Sequence, residues 1–198
     1  MAKVTSAQKV KKKKFFEVVA PEFLKGTTIG EALSETTEGL IGKTIVSTAG
    51  EVLGNAKKYI NIRFKISEVK TSVAHTVVDS ITVSAPYIQR KVKHDSKVDT
   101  KCVGVSKDGK KVGLLISAIA QGRCFTTAKS ELRKVLQRLG NEAIKNTNSD
   151  ALIIDLLSNM IQNDIRKQLH KIYPVRSVEL EKITLKEPVK TEKKEEKK

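Results

Sequence analysis

Aromatic side chains are scarce in this 198-residue chain: five Phe, three Tyr and no Trp, 4% in all. Its core must therefore rest on Ile, Val and Leu, and few rings are left over to stack on bases or sugars. Only two cysteines occur, Cys102 and Cys124, far apart and outside any Cys-x-x-Cys unit. A disulfide framework or a structural zinc site needs more of them or closer spacing, so two reduced thiols in or near the core are expected. The three histidines, His75, His94 and His170, show no metal-ligand spacing. No apolar run approaches the ~18 residues of a membrane span, and the N-terminus has no apolar signal-peptide region. A cytosolic protein without membrane contact is expected. Acids are missing locally: between Met1 and Lys14 there is none, while Lys3, Lys9, Lys11, Lys12, Lys13 and Lys14 supply six positive charges.

The charge that is present has one dominant sign. Thirty-eight Lys and Arg face 22 Asp and Glu, a formal net charge of +16. Like charges repel in a folded protein, so this excess adds nothing to stability and points to a large polyanionic partner. The phosphate backbone of a nucleic acid fits best, with contact mainly to phosphate and sugar. Charge and periodicity divide the chain into three zones. Residues 1–14 form a basic arm expected to be disordered until bound, and residues 187–198 a mobile Lys/Glu tail. Residues 15–186 make one folded domain.

Within that domain, Phe15 to Ala20 reads as a strand stopped by Pro21. The glycine-rich stretch after it reads as loops with at most a turn or two of helix around Glu31 to Ser34. Ile60, Ile62, Phe64 and Ile66 alternate with Asn61, Arg63, Lys65 and Ser67, so one strand face is buried and the other is basic. Val73, His75, Val77, Asp79, Ile81 and Val83 share one face of the next strand, after a hairpin connection at Lys70-Thr71-Ser72. Val98 to Val105 and Lys111 to Ala120 form a further pair around Asp108-Gly109, read as a type I′ turn. Four antiparallel strands in succession, with a β-branched run at Thr44 to Thr48, predict a closed or nearly closed barrel. Helices come after them. One is capped by Thr126 or Thr127, with a possible break at Gly140. The other runs unbroken from Ser149-Asp150 to Leu169 before Pro174. The last strand, Val175 to Lys186, changes phase between Leu180 and Ile183, which requires a bulge or a strong twist. The fold class is thus α+β: a central antiparallel β-barrel with flanking helices, two C-terminal helices and a final strand.

No constellation of side chains suggests catalysis. Gly42-Lys43-Thr44 copies the end of a phosphate-binding loop, but Thr37 stands where its first glycine belongs, and Thr44 to Thr48 reads as a strand where a helix should start. His75 alternates with core residues and is expected to be buried and satisfied. Asp79 lies roughly 13 Å further along the strand, out of its reach. No serine sits in a nucleophile elbow, and no cluster of acids suits magnesium. Neither enzyme activity nor a cofactor or metal is expected.

The basic clusters carry the functional signal. Pro86 opens a short helix whose Ile88 and Val92 face the body, leaving Arg90, Lys93, His94 and nearby Lys97 toward solvent, with Lys91 in the same basic run. Arg63 and Lys65, Arg123 beside Gly122, and Arg176 with Lys182 extend the set, together with Lys9 and Lys11 to Lys14. All of these lysines and arginines are candidate RNA-binding residues.

The order of segments is also distinctive. A Lys-rich arm precedes Phe15-Phe16, Ala20-Pro21-Glu22-Phe23, Ile29-Gly30-Glu31 and Leu40-Ile41-Gly42-Lys43. Phe64 to Val69, Pro86 to Lys93, Lys107-Asp108-Gly109 and Lys171-Ile172-Tyr173-Pro174-Val175-Arg176 complete the series. This collinear pattern resembles the small-subunit ribosomal proteins called S-three-Ae in archaea and S-three-a in eukaryotes. It covers about residues 10 to 186. The resemblance implies a structural ribosomal protein with a central β-barrel, on the platform near the messenger exit in a cytoplasmic ribosome. Its implied partners are small-subunit ribosomal RNA and neighbouring ribosomal proteins. Carried over by position, Lys11 to Lys14, Arg90 to Lys93 and Arg176 lie against RNA. Phe15-Phe16 replaces the usual Trp-Tyr, and Gln89, Ser177 and Glu181 replace arginines. Lysines elsewhere do not restore bidentate phosphate recognition. Read from the residues alone, a free-standing binder of single-stranded RNA and a nucleotide hydrolase at Gly42 to Thr44 stay open.

Overall fold

The computed structural model describes residues 13–54 and 57–186. The chain begins with β1 (Lys14–Val19), β2 (Thr28–Ser34), β3 (Thr44–Thr48) and a short helix α1 (Ala49–Leu53). Two long strands come next, β4 (Ile60–Lys70) and β5 (Val73–Val83), then α2 (Ala85–Val92) and the pair β6 (Ser96–Val105) and β7 (Lys111–Ala120). Three helices, α3 (Thr126–Asn146), α4 (Ser149–Leu157) and α5 (Met160–Leu169), lead to β8 (Val175–Lys186).

The α+β class is as expected, but the sheet does not close into a barrel. Its eight strands run β2-β1-β5-β8-β7-β6, and β4 with β3 attaches to the other edge of β5. Among the described residues β2, β3 and β6 each pair with one strand only, so the edges are open. The barrel expectation assumed that strands adjacent in sequence pair in succession. Instead α2 carries the chain away after β5, and β8 returns from the far end of the chain to lie between β5 and β7. Along that edge β5 is shared: Val73 to His75 pair in parallel with β1, and Ser80 to Thr82 pair with β8.

Two bulges set which side chains face inward. In β5 the register passes from Phe64↔Val78 to Arg63↔Ser80, leaving Asp79 over. Ala74, Thr76 and Val78 are therefore buried before the bulge, and Ile81 and Val83 after it. The single face expected from Val73 to Val83 is wrong in its first half, and His75 is exposed rather than buried. In β8 the register skips Glu181, which puts Val178, Leu180 and Ile183 on the core side, as the phase change required. Other expectations also need correcting. The Glu31 to Ser34 region is part of strand β2, paired with β1 through Lys14↔Ser34. Around Asp108-Gly109 only Gly109 has positive φ, +76°, and Gly109 N–H donates to Ser106 C=O at 2.9 Å. That is a type I turn ending in a left-handed glycine, rather than type I′. Thr71 does turn the β4–β5 hairpin, with φ +55°.

The main core lies between the sheet and the helices, around Ile62, Phe64, Ile81, Leu114, Ile116, Leu132, Leu136 and Ile153. Cys102 and Cys124 are free thiols buried in it. A smaller core of Phe16, Val18, Leu40, Ile66 and Ala74 sits under β1 and β2. Helix α3 runs through Gly140 without a break, because that glycine faces Cys102. Three C-terminal helices stand where two were expected. Asn159, left-handed with φ +62°, divides the long apolar stripe into α4 and α5. Asparagine tolerates that conformation better than most residues.

Candidate nucleic-acid interface

Helix α2 starts with Pro86 in its first turn, where a missing N–H costs nothing, and it buries Ile88. Arg90, Lys93 and His94 are left exposed. Lys91 is committed inward: its ammonium meets the Glu179 carboxylate at 2.5 Å and sits 5.0 Å from the centre of the Tyr87 ring. Tyr87 in turn stacks on Tyr59, 3.8 Å apart and 6° from parallel. Lys97 is held similarly, by Glu181 at 2.5 Å and Asp99 at 3.1 Å. Burial lowers the pKa of both ammonium groups, but their carboxylate partners outweigh it and the net shift is upward. Lys91 and Lys97 therefore fix α2 and β6 to β8. Both lysines pair with largely buried carboxylates of β8, whereas the Arg176–Asp95 and Lys167–Asp164 pairs leave most of the cationic side chain in water.

Opposite α2, helix α5 places Arg166, Lys167 and His170 on its exposed face, around a cleft shared with Asn163. Arg166 Nε donates to Val175 C=O at 3.4 Å, and His170 Nδ1 accepts the Val175 N–H at 3.3 Å. The start of β8 is thereby tied to the end of α5. Next to it Arg176 meets Asp95 at 3.0 Å, and its side chain stays 56% exposed. Asp95 also accepts the Gly122 N–H at 2.9 Å. The Gly122 amide first, then Arg176, hold the Asp95 carboxyl below its usual pKa. Arg123 comes next on the same loop and is exposed.

These links gather Arg90, Lys93, Arg123 and Arg176 at one end of the molecule, formed by α2, the β7–α3 loop, α5 and the start of β8. Arg166, Lys167, His170 and Lys171 belong to the same end and were missed in the sequence. Their only signal was basic residues recurring on the polar face of an amphipathic helix, which serves equally well as compensation for the helix dipole. The remaining candidates lie elsewhere. Arg63 and Lys65 are exposed on the outer face of β4, opposite Val46 and Thr44 of β3. Lys182 is exposed and lines a cleft with Lys97 and Glu181 on the far side of α2. Lys13 and Lys14 are exposed, whereas Lys9, Lys11 and Lys12 lie outside the described residues, as does the tail from residue 187. Among the described residues no three acids, histidines or cysteines are grouped to hold a metal. No described helix is long and apolar enough to cross a membrane. Gly42-Lys43-Thr44 leads into β3, so it lacks the helix that a phosphate-binding loop needs.

The profile of the ribosomal S3Ae family matches residues 2–188. The chain belongs to this family. Similar members include proteins named "Small ribosomal subunit protein eS1". The one from Methanoculleus marisnigri is 29% identical over 177 residues, 88% of this chain and 90% of that protein. The one from Desulfurococcus amylolyticus is 30% identical over 182 residues, 89% and 84% of the two chains. The relative in Staphylothermus marinus is 30% identical over 179 residues, again 89% and 84%. The S3Ae family is a family of structural ribosomal proteins, not of enzymes. For an S3Ae member, a basic end built from α2, α5 and β8 has an obvious polyanion at hand.

Proposed function

We propose that this protein is a structural constituent of the small ribosomal subunit, seated on the platform near the messenger exit. There it binds ribosomal RNA and touches neighbouring ribosomal proteins. The observation that carries the RNA-binding part is the convergence of Arg90, Lys93, Arg123, Arg166, Lys167, Lys171 and Arg176 on one end, from four separate segments. The rigid body docks that end on folded RNA, and the lysines before β1 add further phosphate contacts. Affinity comes largely from counterion release, and RNA shape selects the site more than base sequence does. Sedimentation tests the assignment: the tagged protein should travel with the small subunit through a sucrose gradient. If it binds RNA but stays at the top of the gradient, it acts outside the ribosome. Deleting residues 1–14 should flatten log K against log salt by several units, taking ~0.9 per phosphate on duplex DNA as a guide. An unchanged slope would remove the arm from the interface.

A further inference from the structure

The loop joining β7 to α3, residues 121–125, is tied down at nearly every backbone position. Gln121 N–H donates to Pro174 C=O at 2.9 Å, and Gly122 C=O accepts the Ser96 N–H at 3.0 Å. Gly122, with φ +73°, gives its own N–H to Asp95 at 2.9 Å. The Tyr173 hydroxyl donates to Arg123 C=O at 3.1 Å, and Cys124 N–H donates to the Ser96 hydroxyl at 3.0 Å. Restraints from both β6 and the segment before β8 therefore fix this loop. At its end Phe125 has 82% of its surface in water.

Stability argues against a phenylalanine here on two separate counts. An exposed ring gains nothing from burial, and Phe125 occupies the N-cap of the 21-residue helix α3 without any side-chain cap hydrogen bond. Ser, Thr, Asp or Asn would stabilise that position. Thr126 and Thr127, the caps expected from sequence, lie one and two places too late. The loop is flanked by cations: Arg123, Lys171 and Arg176 are exposed, and Asp95, which accepts the Gly122 N–H, is paired with Arg176. An apolar pocket on a protein would be a poor fit to such a rim. A nucleobase, which carries its own phosphate, suits both the ring and the cations. The start of α3 favours negative charge as well.

We infer that Phe125 is a stacking platform for one unpaired base of the bound RNA, with Arg123 on the adjoining phosphate. This rests on the proposed RNA-binding role and adds to it a grip on single-stranded nucleotides. The test uses the full-length protein carrying Phe125→Trp, since the chain has no other indole. It is titrated with oligoadenylate of about 12 nucleotides and with an abasic phosphodiester of equal length, each end-labelled so that anisotropy reports binding. Oligoadenylate should quench the indole, and the abasic polymer should bind without quenching. Phe125→Ser should weaken oligoadenylate binding about tenfold, leave abasic binding unchanged and raise Tm, because serine is the better cap. Absence of quenching, or equal oligoadenylate affinity for wild type and Phe125→Ser, overturns the stacking role while leaving backbone binding intact. If neither polymer nor small-subunit RNA binds in a salt-dependent way, the RNA-binding role falls as well.

Discussion

At Gly140 a Cβ atom would stand 2.5 Å from Cys102 Sγ and 3.4 Å from its Cβ. That single contact explains why a glycine sits in the middle of α3. Helix propensity alone argues against it by about 1 kcal/mol, which makes a break the natural reading of the sequence. The partner that justifies it lies on β6, 38 positions earlier, and no local pattern announces it. Gly104 of β6 repeats the device, since a Cβ there would meet Ile144 Cγ2 at 2.9 Å. We predict that Gly140→Ala lowers stability by about 1–3 kcal/mol through overpacking, read as a shift of the urea midpoint. Combining it with Cys102→Ala should cost less than the two single changes added together, because the colliding sulfur is gone. Strict additivity would show that the helix is held off by something other than this contact.

Between elements, legibility depended on whether a bulge left a visible trace. In β8, Val178, Leu180, Ile183 and Leu185 are all large and apolar, so the skipped residue shows as a break in their spacing. In β5, Val73 and Val77 on the outer face continue the beat of Ile81 and Val83 and conceal the step at Asp79. The barrel failed for a related reason: nothing in a strand's own residues says that a distant strand will take the place beside it. The β8 bulge also carries chemistry. Glu181 accepts a hydrogen bond from the fully buried Ser117 hydroxyl and pairs with Lys97. Glu181→Ala should therefore cost about 1–3 kcal/mol, mainly by leaving Ser117 unsatisfied. Urea unfolding checks it, and a decrease no larger than for an exposed glutamate would rule out that role. At the other end of β8, Asp95 joins β6 to Gly122 and Arg176 with a pKa below its usual 3.8. A depressed carboxyl contributes stability above its unfolded pKa and loses it as pH falls through the folded value. The Tm gap between wild type and Asp95→Asn should hold from neutral pH down to the usual carboxylate range, then narrow under stronger acid. A gap that widens with acid would mean that the folded protein raises this pKa instead of depressing it.

Across the whole molecule, positive charge is not spread evenly, and this distribution was the part least visible in sequence. Family membership was legible from the collinear series of segments, and a basic surface from composition. Which lysines are free was not, since Lys91 and Lys97 look like Arg90 and Lys93 until Glu179 and Glu181 come in from β8. The sheet face that carries Arg63 and Lys65 also differs in kind from the α2–α5 end. Exposed Val46 and Val77 lie on it beside the two cations, as cross-strand partners of Arg63 and Lys65. Apolar area of that sort gains nothing from phosphate and does not respond to salt as counterion release does. The two faces should therefore separate in one measurement. Replacing Arg166 and Lys167 together with glutamate should lower the slope of log K against log salt for small-subunit RNA by about one for each phosphate left without its cation. The same change at Arg63 and Lys65 should leave the slope close to wild type. If the β4 pair moves the slope and the α5 pair does not, the RNA lies against the open sheet, and the α2–α5 end is the surface turned toward neighbouring proteins.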